Sequence, residues 1–299
     1  AALAIDPRNP DIAYAALRFY SAQDRTTFNR GFLVRIDLSE GGYAELLGWT
    51  PAMKTDRLTM DKDGTLWSLA KDGRLWAVPN AGDLEVAQTD YPDKSVLRVP
   101  VAGDESFRVR TPTYNDPSKF SLSQIDAQSY GELIAGVYEP DGTLIEDHPD
   151  QRRASALQAG DIAFDGNGNL WAILSNGVRF DNGHVILQDA SETSLITVSK
   201  EDLDKANGKN PLWGRYVGET RNNMGSPQSE EGRGVYYNGI SFGELADGTS
   251  ALYGTSVAAL ANETGGSFYE LNESDGTTAL LGNIDTQTFG DLASCALPQ

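Results

Sequence analysis

Short apolar-alternating runs recur along the chain, and most of them end in a turn rich in Asp, Asn and Gly. The clearest case is residues 160–173, GDIAFDGNGNLWAI, in which Ile162 and Phe164 precede a polar turn and a second apolar run begins at Leu170. Alternation with a period of two indicates a half-buried strand, and Asp, Asn and Gly suit tight turns. This stretch therefore predicts a β-hairpin.

The same hairpin pattern returns several times. Copies are found at residues 57–69 (RLTMDKDGTLWSL), 2–16 and 238–255, and half a copy at 289–295. The copies lie about 50–75 residues apart, which is longer than a compact blade repeat and is consistent with loop insertions. The chain is therefore predicted to be a repeat protein.

Around these hairpins the pattern predicts four units of four strands each, with one short helix over 201–206. The predicted strands are 2–6, 12–20, 31–38 and 43–49; 57–60, 65–70, 74–79 and 84–89; 161–164, 169–174, 193–198 and 212–217; and 239–242, 251–256, 267–272 and 277–282.

The predicted fold is all-β: a β-propeller of five or six four-stranded blades with loop insertions, in one domain over 1–299. A four-stranded sheet cannot cover both of its faces alone, whereas a radial arrangement buries each face against a neighbour. Residues 93–158 are the least regular part and are assigned an irregular or inserted blade, and 289–296 is predicted to close the ring. A pair of β-sandwiches is the second choice, but it does not explain the recurring Asp-Gly-Xaa-Leu-Trp pattern.

Several propeller families share these turn motifs. Residues 165–172 (DGNGNLWA) and 61–68 (DKDGTLWS) resemble the blade turns of gluconolactonase-like, NHL-repeat and streptogramin-lyase propellers, and the AIDP start at 4–7 resembles the sortilin-like ones. The last third, 238–294, resembles propeller modules of large secreted or surface-anchored bacterial proteins. The resemblance implies a scaffold, because these motifs specify turns and propellers carry many functions.

The charge balance narrows the choice of partner. The formal net charge is −19, which argues against nucleic acid and against anionic lipid, since both need a basic face. No apolar run approaches the ~20 residues of a membrane helix, so no membrane insertion is expected. The single cysteine, Cys295, excludes a disulfide within the chain and is expected to be a small buried residue. The Ala-Ala start fits a processed, exported chain.

Calcium is the metal that the acidic turns favour. Asp61 and Asp63 in one turn, and Asp165 with Asn167 and Asn169 in another, place oxygen atoms at alternate positions, as a hard cation requires. A closing Glu of the twelve-residue calcium loop is missing. The alternative interpretation is that each Asp bonds the backbone of its own turn.

A second candidate cation site lies at the predicted inner strands. Asp161, Asn238 and Asp291 precede the matching runs GDIAF, NGISF and GDLAS. In a propeller these positions would meet near the axis and line a polar pocket or bind a metal, as in gluconolactonase-like propellers. Capping of the strand start is the alternative.

Catalytic chemistry finds little support in the sequence. There are two histidines, His148 and His184. The run GISFG at 239–243 matches Gly-Xaa-Ser-Xaa-Gly, but it lies in a predicted strand and not at the strand-to-helix turn that a nucleophile elbow needs. The most site-like aromatic pair is Tyr236 and Tyr237, which follow a Gly- and Ser-rich loop and are candidates for glycan stacking.

The favoured function is a non-catalytic binding, adhesion or assembly module of a secreted or cell-surface protein. Its partner would be a protein or glycan at the cell surface, or a second copy of the chain. The alternatives are a Ca²⁺-dependent hydrolase or lactonase of the gluconolactonase-like type, and a glycan-binding propeller.

Overall fold

The computed structural model describes residues 2–21, 26–39, 43–53, 55–87, 96–98, 123–145, 148, 151–154, 159–175, 178–181, 184–187, 193–206, 211–220, 237–244, 249–257 and 266–284. The strands are β1 (Ala2–Ile5), β2 (Ile12–Ser21), β3 (Thr26–Asp37), β4 (Tyr43–Met53), β5 (Thr55–Met60), β6 (Leu66–Ala70), β7 (Arg74–Val78), β8 (Val96–Arg98), β9 (Gln128–Gly136), β10 (Arg152–Arg153), β11 (Ala159–Phe164), β12 (Leu170–Ser175), β13 (Val178–Asp181), β14 (His184–Leu187), β15 (Thr193–Val198), β16 (Leu212–Glu219), β17 (Tyr237–Glu244), β18 (Ser250–Val257), β19 (Gly266–Leu271) and β20 (Thr278–Ile284). The helix is α1 (Lys200–Ala206), and Ala81–Asp83 form a 3-10 turn.

The strands build four successive units. Unit one is β1-β2-β3-β4, extended at its outer edge by β8, and unit four is β17-β18-β19-β20. Unit two (β5-β6-β7-β9) and unit three (β11-β12-β15-β16) form one continuous sheet, because their outer strands β9 and β16 pair in parallel. The remaining pairings within the units are antiparallel, and β13 with β14 forms a separate hairpin.

The first strand of each unit lies beside the first strand of the next. β1 contacts β5, β5 contacts β11, and β11 contacts β17. First strands side by side, with later strands stepping outward, are the organisation of a β-propeller. The all-β prediction is thus confirmed and the described strands are arranged as in a propeller, while the number of blades stays a prediction.

The hydrophobic core lies between the units. Leu58 and Met60 of β5 pack with residues of unit one, whereas Ile162 and Phe164 of β11 pack with residues of unit two. Ala163, the residue between these two, points the other way and packs with unit four. The period of two in the sequence therefore reflects strands that bury both of their faces.

Unit two completes its sheet in a way that the sequence did not reveal. A fourth strand was predicted at 84–89, but residues 84–87 are not a strand. Asn80 adopts a left-handed conformation (φ 50°), the 3-10 turn redirects the chain, and the Ala87 N–H then bonds Leu46 O of unit one at 2.7 Å. The outer strand of unit two is instead β9, and β8 joins unit one beside β4. The described strands of residues 93–158 thus complete units one and two.

Local predictions agree with the structure at most other places. The third strand of unit one begins at Thr26, before the predicted residue 31. The predicted helix is present as α1, where the Ser199 hydroxyl accepts from the Asp202 N–H (3.1 Å) and donates to the Asp202 carboxylate (2.6 Å). This reciprocal pair caps the first turn.

Candidate functional site

The turn between β5 and β6 is organised by the carboxylate of Asp61. Its Oδ1 accepts hydrogen bonds from the backbone N–H groups of Asp63 (3.0 Å) and Thr65 (2.9 Å). Its Oδ2 accepts from the indole Nε1 of Trp67 at 2.8 Å. Both carboxylate oxygens are thus engaged by donors from the same hairpin.

The turn between β11 and β12 repeats this arrangement around Asp165. Its Oδ1 accepts from the N–H groups of Asn167 and Asn169, both at 2.9 Å, and its Oδ2 accepts from Asn169 Nδ2 (2.8 Å) and Trp171 Nε1 (3.1 Å). In each of these two turns a glycine follows at the third position, Gly64 or Gly168, with φ near +80° (81° and 84°). The recurring Asp-Xaa-Xaa-Gly-Xaa-Leu-Trp pattern is therefore one hairpin design in which Asp bonds the Trp six residues later.

Unit one carries a related turn that also reaches its neighbour. The Asp6 carboxylate bonds the Arg8 guanidinium at 3.1–3.2 Å, and Arg8 Nη1 donates to the Asp63 carbonyl at 3.1 Å. The bond to Asp6 raises the pKa of Arg8. Arg8 lies directly over Gly64, where an added Cβ would be 1.8 Å from the guanidinium carbon. Only glycine leaves room for this link between the turns of units one and two.

These contacts bear on calcium at the turns. A cation at Asp61 or Asp165 would have to displace donors that already hold both carboxylate oxygens. Asp63 is exposed and its carbonyl oxygen accepts from Arg8, so a positive charge lies beside that turn. Within the described part of the chain, no group of three or more His, Cys, Asp or Glu side chains is placed to hold a metal ion. Calcium therefore stays a prediction.

Asp161 occupies the inner strand of unit three and is almost completely buried (1% exposed). Its Oδ2 accepts from the backbone N–H of Ile240 on β17 at 2.8 Å. The carboxylate therefore joins the inner strands of units three and four. Gly160 precedes it with φ +129°, and a Cβ there would lie 1.8 Å from the Ile173 carbonyl oxygen. Glycine at position 160 is thus required by the close approach of β12.

Arg57 occupies the equivalent position in unit two, four residues before the turn Asp, just as Asp161 precedes Asp165 by four. It is fully buried (0% exposed). The alternation along β5 directs Arg57 away from Leu58 and Met60, toward unit three. The adjacent inner strands β5 and β11 thus carry buried charges of opposite sign at the same position of the hairpin motif. The sequence analysis did not identify Arg57. The register of the two hairpin motifs was the signal that could have found it.

The other predicted site residues are only partly placed. Asn238 lies in β17, at a point where the pairing with β18 shifts register. Tyr237, in the same strand, is fully buried (0% exposed), its ring meets Tyr269 at 5.6 Å between centroids, and burial raises the pKa of its hydroxyl. It packs in the core between units three and four. Tyr236 and Asp291 lie outside the described residues.

Comparisons with known proteins assign the chain to no family. Neither protein family models nor curated protein sequences give a match. A solved structure titled "Structure of Dos1 propeller" aligns with 98% of this chain, at 9% identity and a TM-score of 0.35. The chain spans 62% of that structure's length. The propeller arrangement rests on the contacts between inner strands described above. No helix among the described residues has the length and apolar character needed to cross a membrane.

Proposed function

We propose that this chain is a non-catalytic binding, adhesion or assembly module of a secreted or cell-surface protein, built as a β-propeller with four-stranded blades. The observation that supports the proposal is the use of its ordered carboxylates. The carboxylates of Asp61 and Asp165 accept hydrogen bonds that shape turns. The carboxylate of Asp161 accepts a hydrogen bond that joins two strands. A carboxylate held by several donors on a rigid hairpin is a poor proton carrier or nucleophile.

The axial positions favour this function over a calcium-dependent hydrolase. A hydrolase of that type needs oxygen ligands that converge on one ion at about 2.3–2.6 Å. Here Asp161 is held by β17, and the next inner strand carries the buried cation of Arg57 at the same level. The buried side chain of Arg57 adds no oxygen ligand to such a set.

The net charge indicates what kind of partner suits the surface. With a formal charge of −19, the protein attracts basic partners and repels anionic ones, and exposed charge interactions are screened by salt. The partner we propose is therefore a basic protein surface at the cell envelope. Glycan binding and assembly of copies bridged by cations are the other outcomes that the test distinguishes.

The experiment uses one protein preparation for binding and for turnover. We expect saturable binding to isolated cell-envelope material that weakens as salt is added, and weaker binding after Asp11→Asn, Asp63→Asn and Glu85→Gln, which remove three exposed acids. We expect no lactone hydrolysis with Ca²⁺ present. Lactone turnover that disappears in Asp161→Asn would overturn the proposal. Salt-independent binding to free glycan would contradict the basic partner and favour glycan binding. Oligomers that light scattering shows only with Ca²⁺ would favour assembly of copies bridged by cations.

A further inference from the structure

The turn between β19 and β20 carries the tripeptide Asn272-Glu273-Ser274. An Asn followed two residues later by Ser or Thr, with any residue except Pro between them, is the acceptor pattern for N-glycosylation. The three residues are all exposed. A short motif of this kind occurs by chance, so its geometry decides whether it is usable.

The Asn272 side chain is held in one orientation. Its Oδ1 accepts from the backbone N–H of Ser274 at 2.9 Å and from the Ser274 hydroxyl at 2.7 Å. Because an amide nitrogen cannot accept a hydrogen bond from a backbone N–H, the oxygen and the nitrogen are assigned without ambiguity. The Nδ2 group therefore points away from the turn, and no described residue bonds it.

The hydroxyl contact also has a chemical consequence. A hydrogen bond donated to the amide oxygen withdraws electron density from the carbonyl and makes the Nδ2 protons more acidic. An amide nitrogen that loses a proton becomes nucleophilic. Ser274 is thus placed to activate the nitrogen that the motif requires.

The turn that presents Asn272 is firmly anchored. The Asn272 N–H bonds Thr277 O and the Gly276 N–H bonds Asn272 O, both at 2.8 Å. Asp275 packs so closely on β16 that a Cβ at Gly218 would lie 1.9 Å from the Asp275 carbonyl oxygen. The acceptor is therefore an exposed group on an ordered hairpin end, which a modifying enzyme can reach in the folded protein.

The flanking sequence adds a second feature. Glu270, two residues before Asn272, is exposed and places a negative charge beside the acceptor. A second tripeptide, Asn262-Glu263-Thr264, lies outside the described residues and has Leu260 at the corresponding place. The two tripeptides thus form an internal comparison.

We propose that Asn272 is an N-glycosylation site. The donor is an oligosaccharide linked through pyrophosphate to a membrane lipid. Nδ2 of Asn272 forms a bond to C1 of the first sugar, and the bond from C1 to the pyrophosphate oxygen breaks. One proton of Nδ2 passes to the departing lipid pyrophosphate, which balances the step. Modification in the cell rests on the export that the proposed function includes, but not on the identity of the partner.

The test is a reaction in solution and does not depend on where the protein resides. Folded, purified protein is incubated with a single-subunit bacterial oligosaccharyltransferase and its lipid-linked oligosaccharide, and the intact mass is measured. We expect a gain of one glycan, mapped to Asn272 by peptide analysis. The gain should persist in Asn262→Gln, which removes the other tripeptide.

Two variants separate the chemistry from the fold. Asn272→Asp keeps the oxygen that the turn needs, as Asp61 and Asp165 do in their turns, but it has no nitrogen to glycosylate. Ser274→Ala removes the activating hydroxyl. Both should abolish the mass gain while leaving the circular dichroism spectrum unchanged. An unmodified wild-type protein in a mixture that glycosylates a reference acceptor peptide would overturn the proposal, and so would a gain that survives in Asn272→Asp.

Discussion

Replacing Asp165 with alanine removes a carboxylate that accepts four hydrogen bonds within one hairpin. Two donors are backbone amides of the turn, which regain water when the carboxylate is lost. The Trp171 indole is different, since that residue is only 7% exposed. A buried donor left without a partner costs about 1–3 kcal/mol, and the other lost bonds add about 1 kcal/mol. We therefore expect Asp165→Ala to lower the free energy of unfolding by about 2–4 kcal/mol.

Asp141→Ala is the matched control. Asp141 lies in a turn with the same backbone bonds, in which Glu139 stands at the place of Asp165. The Asp141 Oδ1 accepts from the Thr143 N–H (2.9 Å), and no indole among the described residues bonds it. The loss should be much smaller than for Asp165. The assay is urea unfolding followed by tryptophan fluorescence and circular dichroism, with midpoints compared at equal slope. Equal shifts of the urea midpoint in Asp165→Ala and Asp141→Ala would show that the bond to the Trp171 indole adds nothing to stability.

A double-mutant cycle localises the effect. Trp171→Phe removes the indole N–H while keeping most of the buried ring. If the Asp165 carboxylate acts through this donor, the two substitutions together should cost about 1 kcal/mol less than the sum of their separate costs. Additive costs would show that the carboxylate works only through the turn amides.

Three further predictions concern other positions. Gly160→Ala should prevent stable folding, because its Cβ would lie 1.8 Å from a carbonyl oxygen of β12, whereas Gly166→Ala has open space and should melt like the parent protein by circular dichroism. Asp161→Ala leaves a backbone N–H of β17 without its acceptor and should cost about 1–3 kcal/mol in urea unfolding; Asp161→Asn, which keeps an acceptor oxygen, should cost less. Although Glu273 lies at the surface, partial desolvation and the charge of Asp165 raise its pKa, so the folded state loses stability as pH rises from the unfolded pKa through the folded one. Glu273→Gln should therefore raise the melting temperature at pH 7 relative to the parent and lose that advantage at pH 4; an equal difference at both pH values would contradict this.

The parts of the fold that are local in sequence were predictable. The hairpins at β5–β6 and β11–β12 follow from alternation and turn chemistry within about fifteen residues, and the Ser199 cap follows from its position before the helix. What the sequence could not show is pairing across long separations. β9 completes unit two far downstream of β7, because the turn at Asn80 sends the intervening chain to unit one.

The candidate site residues also differ in whether a local sequence pattern marks them. The turn acids were predicted to be either calcium ligands or turn formers. No sequence pattern showed that the indoles of Trp67 and Trp171 donate to them. Asp161 was predicted to lie at an inner strand, but its carboxylate accepts a hydrogen bond from Ile240, which is 79 residues away in sequence. Such a contact leaves no local pattern. Arg57 was missed because no turn or motif marks it, although it shares its place in the hairpin with Asp161.

We propose that the carboxylates of Asp61, Asp165 and Asp161 serve the fold and hold no metal ion. Scanning calorimetry of the purified protein in Ca²⁺ and in EDTA tests it most directly, with Asp161→Asn beside the parent. An ion that binds only the folded state adds about 2.7 kcal/mol at a hundred times its dissociation constant, which calorimetry detects readily. If the carboxylates hold no ion, the unfolding temperature is the same in Ca²⁺ and in EDTA. A rise in Ca²⁺ that disappears in Asp161→Asn would contradict it and restore the cation at the propeller axis.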